Sequence, residues 1–214
     1  MPTKQVLDAI DSDINWRITE IGYIKMNATL LSFNPDRKAA LLRYSIPALY
    51  SVWEGFVVNT LTEYSREINS LCIPVDRVNI DMLTHNVYDV FDLQNTRGDY
   101  EKKRTLIERI FRYMRSGTIN LSPVIDTESN VNYKVLVKLH RRLNLDLPEE
   151  STFISDLNKY VNIRNKIAHG DNSISIDSGH LSEFSNCIIN LMNSERQIIE
   201  NSLRSNSYTC DPIQ

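Results

Sequence analysis

Two side chains in the stretch YVNIRNKIAHGDN, residues 160–172, could do chemistry together: Arg164 and His169. An imidazole exchanges protons near neutral pH, and a guanidinium keeps its charge and offers a planar fork of N–H donors. They stand five positions apart at what reads as the end of a helix, with Gly170 just beyond. The same residues also fit ordinary helix-ending chemistry. A basic side chain favours the negative end of the helix dipole, and glycine takes the left-handed conformation that stops a helix.

The helix that carries the pair has one apolar face. On a wheel of about 100° per residue, Phe153, Leu157, Tyr160, Val161, Ile167 and Ala168 share that face, and Arg164 falls near its middle. His169 projects roughly 140° away, beside Asn158, Asn162 and Asn165. Either the helix ends by Ala168 and His169 turns back, or the pair converges with a second copy of the chain. Asn165 lies four residues before His169 and can hydrogen-bond its ring. A charge in an apolar stripe needs a partner. Glu54, in YSVWEGF among Tyr50, Trp53, Phe56, Val58 and Leu61, is the candidate. A structural ion pair and a functional one fit this pattern equally.

The elements that position these residues read as helices almost throughout. Only 6 glycines and 7 prolines interrupt 214 residues, and apolar residues recur at three- and four-residue intervals. The expectation is an all-α bundle of about six to seven helices. The first helix carries Val6, Ile10, Ile14, Ile18 and Ile21 to about Phe33. Asn34-Pro35-Asp36 breaks it, and a long second helix follows, apolar on nearly all sides between Ile46 and Val58 and expected to kink at Pro47. Helices are expected near 76–93 and 100–115, separated by Asn95 to Asp99. SGTINLSPVIDTESN is the longest loop. Further helices fall near 131–144, from an N-cap at Ser151 to His169, and near 178–203, the last on Leu181, Phe184, Ile188, Leu191, Glu195, Ile198 and Leu203. Residues 1–203 are expected to form one domain, and 204–214 a polar, frayed tail.

Composition narrows the function classes. A net charge of -3 with a pI near 5.8 leaves nucleic-acid contact to a local patch. Cys72, Cys187 and Cys210 are odd in number and widely spaced, without zinc-ligand spacing, and read as reduced thiols. Charges interrupt the start of the chain, MPTKQVLDAIDSD, and no window holds the roughly 18 apolar residues of a membrane span. A cytoplasmic protein without membrane contact is expected. No Walker-type loop, GxSxG elbow or HExxH is present, so ATPase, serine hydrolase and zinc protease readings have no support.

Arg164-Asn165-Lys166-Ile167-Ala168-His169 resembles the RxxxxH signature of the HEPN superfamily (higher eukaryotes and prokaryotes nucleotide-binding), including the polar residue after the arginine. INWRITEI (14–21), ALYSVWEGFV (48–57) and IRNKIAHG (163–170) are similar to larger HEPN proteins of bacterial defence and toxin systems. The resemblance implies a helical homodimer with two RxxxxH motifs facing one cleft. It also implies a metal-independent endoribonuclease with no cofactor, acting as a toxin or anti-phage effector with an antitoxin or defence-system partner. In that chemistry an RNA 2′-hydroxyl attacks the adjacent phosphate. His169 would act as general acid or base, Arg164 would stabilise charge on the phosphorane, Asn165 would orient His169 or touch phosphate, and Glu54 would support Arg164. Some related toxins are modified on a tyrosine two residues after the histidine; here that residue is Asp171. Other members are non-catalytic modules that dimerise or bind nucleotide and regulate a partner, and this is the alternative.

The densest basic run is RGDYEKKRTLIERIFRYMRSG, with Arg97, Lys102, Lys103, Arg104, Arg109, Arg112 and Arg115 interleaved with Tyr100, Phe111 and Tyr113. It reads either as a solvated helix face with a Glu108–Arg112 pair or as an RNA-binding surface of Lys102, Lys103, Arg109, Arg112 and Arg115 with aromatics for base stacking. A second cluster, Lys134, Lys138, His140, Arg141 and Arg142, permits the same two readings. His85 and His180 read as surface residues.

Overall fold

The computed structural model describes residues 2–30, 34–91, 99–148 and 152–210. The expected Ser151 cap, the break at 95–98 including Arg97, and residues 211–214 lie outside these. Seven helices follow in order: α1 (Pro2–Leu30), α2 (Pro35–Ser70), α3 (Ile80–Val90), α4 (Tyr100–Ser116), α5 (Tyr133–Arg142), α6 (Thr152–Ala168) and α7 (Ser178–Ser205), with a single 3₁₀ turn at Val75–Arg77. No strand occurs among the described residues, only isolated bridges at Pro74–Thr118 and Val78–Thr209. The chain is all-α.

Local chemistry sets the boundaries. Asn34 caps α2, its side chain accepting from the Asp36 and Arg37 amides, and Pro35 takes the first helical position, where its missing N–H costs nothing. Asp99 caps α4, Asn132 caps α5, and Asp177 with His180 forms a reciprocal capping box on α7. His180 therefore has a structural task at an exposed helix start. α2 runs without a break through Pro47.

α2 is the central helix and packs against α1, α6 and α7. Trp53, Phe56, Tyr64, Leu49 and Ile46 are completely buried, each worth about 1.5–3 kcal/mol by removal of apolar surface from water. The stripe of α1 differs from expectation. Val6, Ile10, Ile14 and Ile21 are buried, but Ile18 points outward and Arg17 occupies the buried position. Its Nε donates to Asp13 at 2.8 Å and its Nη1 to the Val52 carbonyl at 2.8 Å. A Cβ on Gly55 would come within 3.0 Å of the same nitrogen. INWRITEI and the WEGF turn of α2 thus meet at one buried guanidinium, with Gly55 supplying the space for it.

The segment between α4 and α5 is a strap fastened to one side of α2. Asn69 exchanges two hydrogen bonds with Leu121, Thr62 donates to the Pro123 carbonyl, and Thr127 donates to Glu54. The Val131 amide donates to the Tyr50 hydroxyl, and Trp53 Nε1 donates to the Val131 carbonyl. Ile119, Leu121, Ile125 and Val131 are buried beneath it. Side chains of α2 thereby satisfy backbone groups that no regular structure serves.

The expected tail also needs correction as far as Cys210. Asn206 ends α7 in the left-handed conformation, and Tyr208 is buried. The Asn79 amide donates to the Tyr208 carbonyl, and the Cys210 amide donates to Arg77. An alternating Tyr208 and a two-bond ladder suffice to dock a segment whose composition is polar.

Candidate functional site

α6 stops by a backbone device. Gly170 adopts φ +83°, its amide donates to Ile167, and the Asp171 amide donates to Lys166. This paired bonding satisfies the last carbonyls and needs a residue free to take positive φ. The helix therefore ends at Ala168, and His169 is the capping residue, exposed to solvent. Its ring makes no hydrogen bond to any described residue. The apolar face frays with it: Phe153 is 38% exposed and Ala168 is exposed, while Leu157, Tyr160, Val161 and Ile167 are buried.

Arg164 is half-buried and lies flat against α2. Its guanidinium carbon sits 4.2 Å above the centre of the Tyr50 ring, a cation–π contact of about 0.5–2 kcal/mol. Nη1 donates to Asn165 Oδ1 at 2.9 Å and, more weakly, to the Ser129 carbonyl at 3.4 Å. The expected Glu54–Arg164 ion pair is not formed. Glu54 instead accepts from Thr127 Oγ1 at 2.7 Å, and Tyr50 intervenes. Tyr50 is the platform, fixed by the Val131 amide at 2.7 Å. Burial pushes its hydroxyl up to about 12, against the pull of the Val131 amide and with a further rise from Glu54.

Asn165 does not reach His169. Its amide nitrogen donates to Asn130 Oδ1 at 3.4 Å and its oxygen accepts from Arg164, so it orients the arginine rather than the imidazole. The wheel places it beside His169, but the strap gives its amide nearer partners.

The strap is strained where it meets Arg164. Glu128 and Ser129 take φ of +51° and +52°, a left-handed pair of non-glycine residues costing on the order of 1–3 kcal/mol each. The turn is held by the Asn130 amide on the Thr127 carbonyl, by Thr127 on Glu54, and by Lys138 on Glu128 at 2.6 Å. Strain of this kind persists only where the surroundings over-determine it, and here it aims the Ser129 carbonyl at Arg164.

Sequence reasoning missed Arg43. It lies seven residues before Tyr50 on the same face of α2 and donates through Nη2 to the Asp171 carbonyl. The 3.6-residue period through Arg43, Tyr50 and Glu54 was the available signal.

The basic residues of α4 form a separate surface, since α4 packs on the 3₁₀ turn rather than on α6. Lys102, Lys103, Arg109, Arg112 and Arg115 are all exposed. Lys102 lies 3.6 Å from Asp99, Glu108 accepts from Arg104 at 3.0 Å, and Arg109 sits over Phe91 at 5.5 Å. Tyr100, Ile107 and Phe111 stand exposed among them, and Phe111, Arg112 and Arg115 edge a shallow cleft of about 420 Å³. In the second basic cluster, Lys138 is paired with Glu128 and His140 is fully buried against Glu195.

No cluster of three or more His, Cys, Asp or Glu suited to a metal occurs among the described residues. None of the described helices is long and apolar enough to cross a membrane.

The described residues form an all-α bundle of the HEPN type. The model of one family, RiboL-PSP-HEPN, matches residues 12–201, and the chain belongs to that family. Such membership supports a nuclease or nucleotide-binding module. No curated protein and no solved structure gives a significant match.

Proposed function

We propose that the protein is a metal-independent endoribonuclease, working as a homodimer in the cytoplasm as the toxic effector of a defence or toxin–antitoxin system. One observation carries the reading: the Arg164 guanidinium rests on an aromatic face and on neutral oxygens, without a carboxylate at ion-pair distance among the described residues. Its charge is left for an anion, and a phosphate suits the planar fork.

In this mechanism His169 removes the proton from an RNA 2′-hydroxyl as that oxygen bonds to the adjacent phosphorus. Arg164 stabilises the negative phosphorane. The P–O5′ bond then breaks, and the 5′-oxygen takes a proton from an imidazolium, leaving a 2′,3′-cyclic phosphate and a 5′-hydroxyl. Pairing two copies supplies both a base and an acid from two His169 side chains. Incubation with mixed RNAs in EDTA, followed by analysis of the new ends, tests the chemistry; 2′-phosphate-free 3′-hydroxyl ends would overturn it. Sedimentation at micromolar concentration tests the assembly: a dimer is expected, and a strict monomer removes the shared cleft.

RNA is held by α4. Substituting Arg109 and Arg112 together by alanine should weaken RNA binding and lower the salt slope, log K against log salt, by about 1.4 for two lost phosphate contacts on a single strand. An unchanged slope would remove α4 from the interface. A non-catalytic module that binds nucleotide and regulates a partner, such as an antitoxin, is the second reading. The absence of an orienting hydrogen bond on the His169 ring, among the described residues, favours it.

A further inference from the structure

α4 is unlike the other helices in what it leaves bare. None of residues 100–115 is buried, whereas each of the other six helices has buried residues. Helices in proteins owe most of their stability to a packed apolar face, and in α4 that face is only partly covered. Leu106, Ile110 and Tyr113 are half-buried, with Tyr113 meeting Phe91 edge-on at 5.6 Å. Tyr100, Ile107 and Phe111 are 75%, 51% and 61% exposed.

The bare residues are ordered. On a wheel of about 100° per residue, Tyr100, Ile107, Phe111 and the half-buried Met114 fall within roughly 60° of one another, and Arg104 lies about 40° from Tyr100. Taken in sequence, Tyr100, Arg104, Ile107, Phe111 and Met114 stand alternately four and three residues apart. This is the 3.5-residue repeat along which one helix packs on another, with a single polar residue in the seam. Lys103 and Arg115 flank the seam at about 60° on either side of Tyr100, in the positions whose charges select the partner of a paired helix. Both are exposed. Neither has a carboxylate at ion-pair distance among the described residues. Glu108, on the same flank as Arg115, already accepts from Arg104 at 3.0 Å, and Glu101 sits in the first turn, where the helix dipole favours it.

These features narrow the occupant. A lipid surface takes a broad apolar sector, and Arg104 interrupts this one. RNA stacks its bases on rings, and Ile107 at the centre of the stripe offers none. A second copy of α4 would set cations against cations, since the helix carries six basic side chains against Glu101 and Glu108. Seam spacing asks for a helix, and the flanking cations ask for carboxylates. We infer that the Tyr100, Ile107 and Phe111 stripe of α4 docks an acidic amphipathic helix of a partner protein, with partner carboxylates on Lys103 and Arg115. The docking stands apart from the ribonuclease reading. Arg109 and Arg112, whose joint loss tests RNA binding, project about 120–180° from Tyr100 and lie off the stripe.

Fluorescence anisotropy with synthetic helical peptides and the full-length chain tests it without any RNA. The peptides are about three heptads long with leucine in the seam, one with glutamate and one with lysine at the flanking positions. The glutamate peptide should bind one-to-one, at least about tenfold more tightly than the lysine peptide, and a scrambled glutamate peptide should not bind. Ile107→Ser with Phe111→Ser should abolish binding, and Lys103→Glu with Arg115→Glu should reverse the preference between the two peptides. All four side chains are exposed, so thermal midpoints should stay at the wild-type value, and they separate lost binding from lost fold. RNA affinity of the serine pair should match wild type, so this inference and the ribonuclease reading fail separately. Absence of glutamate-peptide binding at about 100 μM, equal affinity for the scrambled peptide, or unchanged binding by the serine pair overturns the inference. Loss of binding to RNA or to phosphatidylserine vesicles in the serine pair would assign the stripe to that occupant instead, and overturns it as well.

Discussion

Replacing His169 by alanine is expected to lower RNA cleavage by about 10²–10⁴, the usual contribution of a positioned acid or base, while leaving the thermal midpoint unchanged. The second half follows from exposure: the ring is solvent-facing and bonds no described residue, so its removal creates neither a cavity nor a stranded polar group. Stability and activity are therefore separable at this position. Arg164→Lys gives the complementary result. It keeps the charge but loses the planar stack on Tyr50 and the forked donors, so cleavage should fall with RNA affinity less affected. Initial rates with a fluorescent RNA, alongside melting curves, measure both. Equal cleavage by wild type and His169→Ala would take His169 out of the mechanism.

The second large effect is on stability, at a pair remote from the site. His140 of α5 and Glu195 of α7 are buried, with Nε2 2.9 Å from the carboxylate and Nδ1 2.6 Å from the Asp146 carbonyl. Both ring nitrogens face oxygens, an arrangement that suits a doubly protonated ring. Burial alone would lower its pKa, but the Glu195 charge and hydrogen bond, with the Asp146 carbonyl, raise it above the ordinary value. The unfolded histidine titrates near about 6.5. The pair's stabilisation is therefore complete below that pH and fades as pH rises through the higher folded value. Glu195→Ala leaves a buried imidazolium without its counter-charge and should cost about 3–5 kcal/mol. Urea unfolding across the range from about pH 6 to about pH 9 should show wild-type stability falling with pH and a flatter profile in the variant. A flat wild-type profile would mean that the ring is neutral in the fold.

Much of this architecture was legible in the residues. The helices were marked by their periodicity, by the break at Asn34-Pro35 and by Gly170, because caps and breakers act locally. The buried face of α7 was legible for the same reason, down to Glu195. What failed was tertiary. Arg17 and Ile18 are neighbours, and only the groove at Gly55 decides which turns inward. The Glu54–Arg164 pairing was drawn from two charges in two stripes, but the strap gave Glu54 a nearer hydroxyl donor. Asn165 was assigned to His169 by helix spacing, and a turn 35 residues earlier in the chain engaged it instead. Arg43 shares the face of Tyr50 and Glu54, but its partner is a backbone carbonyl, which no residue type announces.

The strap has a practical consequence for anyone cutting or rejoining the chain. Residues 118–131 contain no helix and resemble the sort of connection that accepts an insertion or new termini. Yet their anchors on α2 fall at Tyr50, Trp53, Glu54, Thr62 and Asn69. One residue inserted into α2 within that span would rotate the later anchors by about 100° relative to the earlier ones. A break near Ser129 would loosen the wall behind Arg164, together with Ile125 and Val131, which the strap contributes to the apolar core. The least helical part of the molecule should therefore be treated as fixed in length.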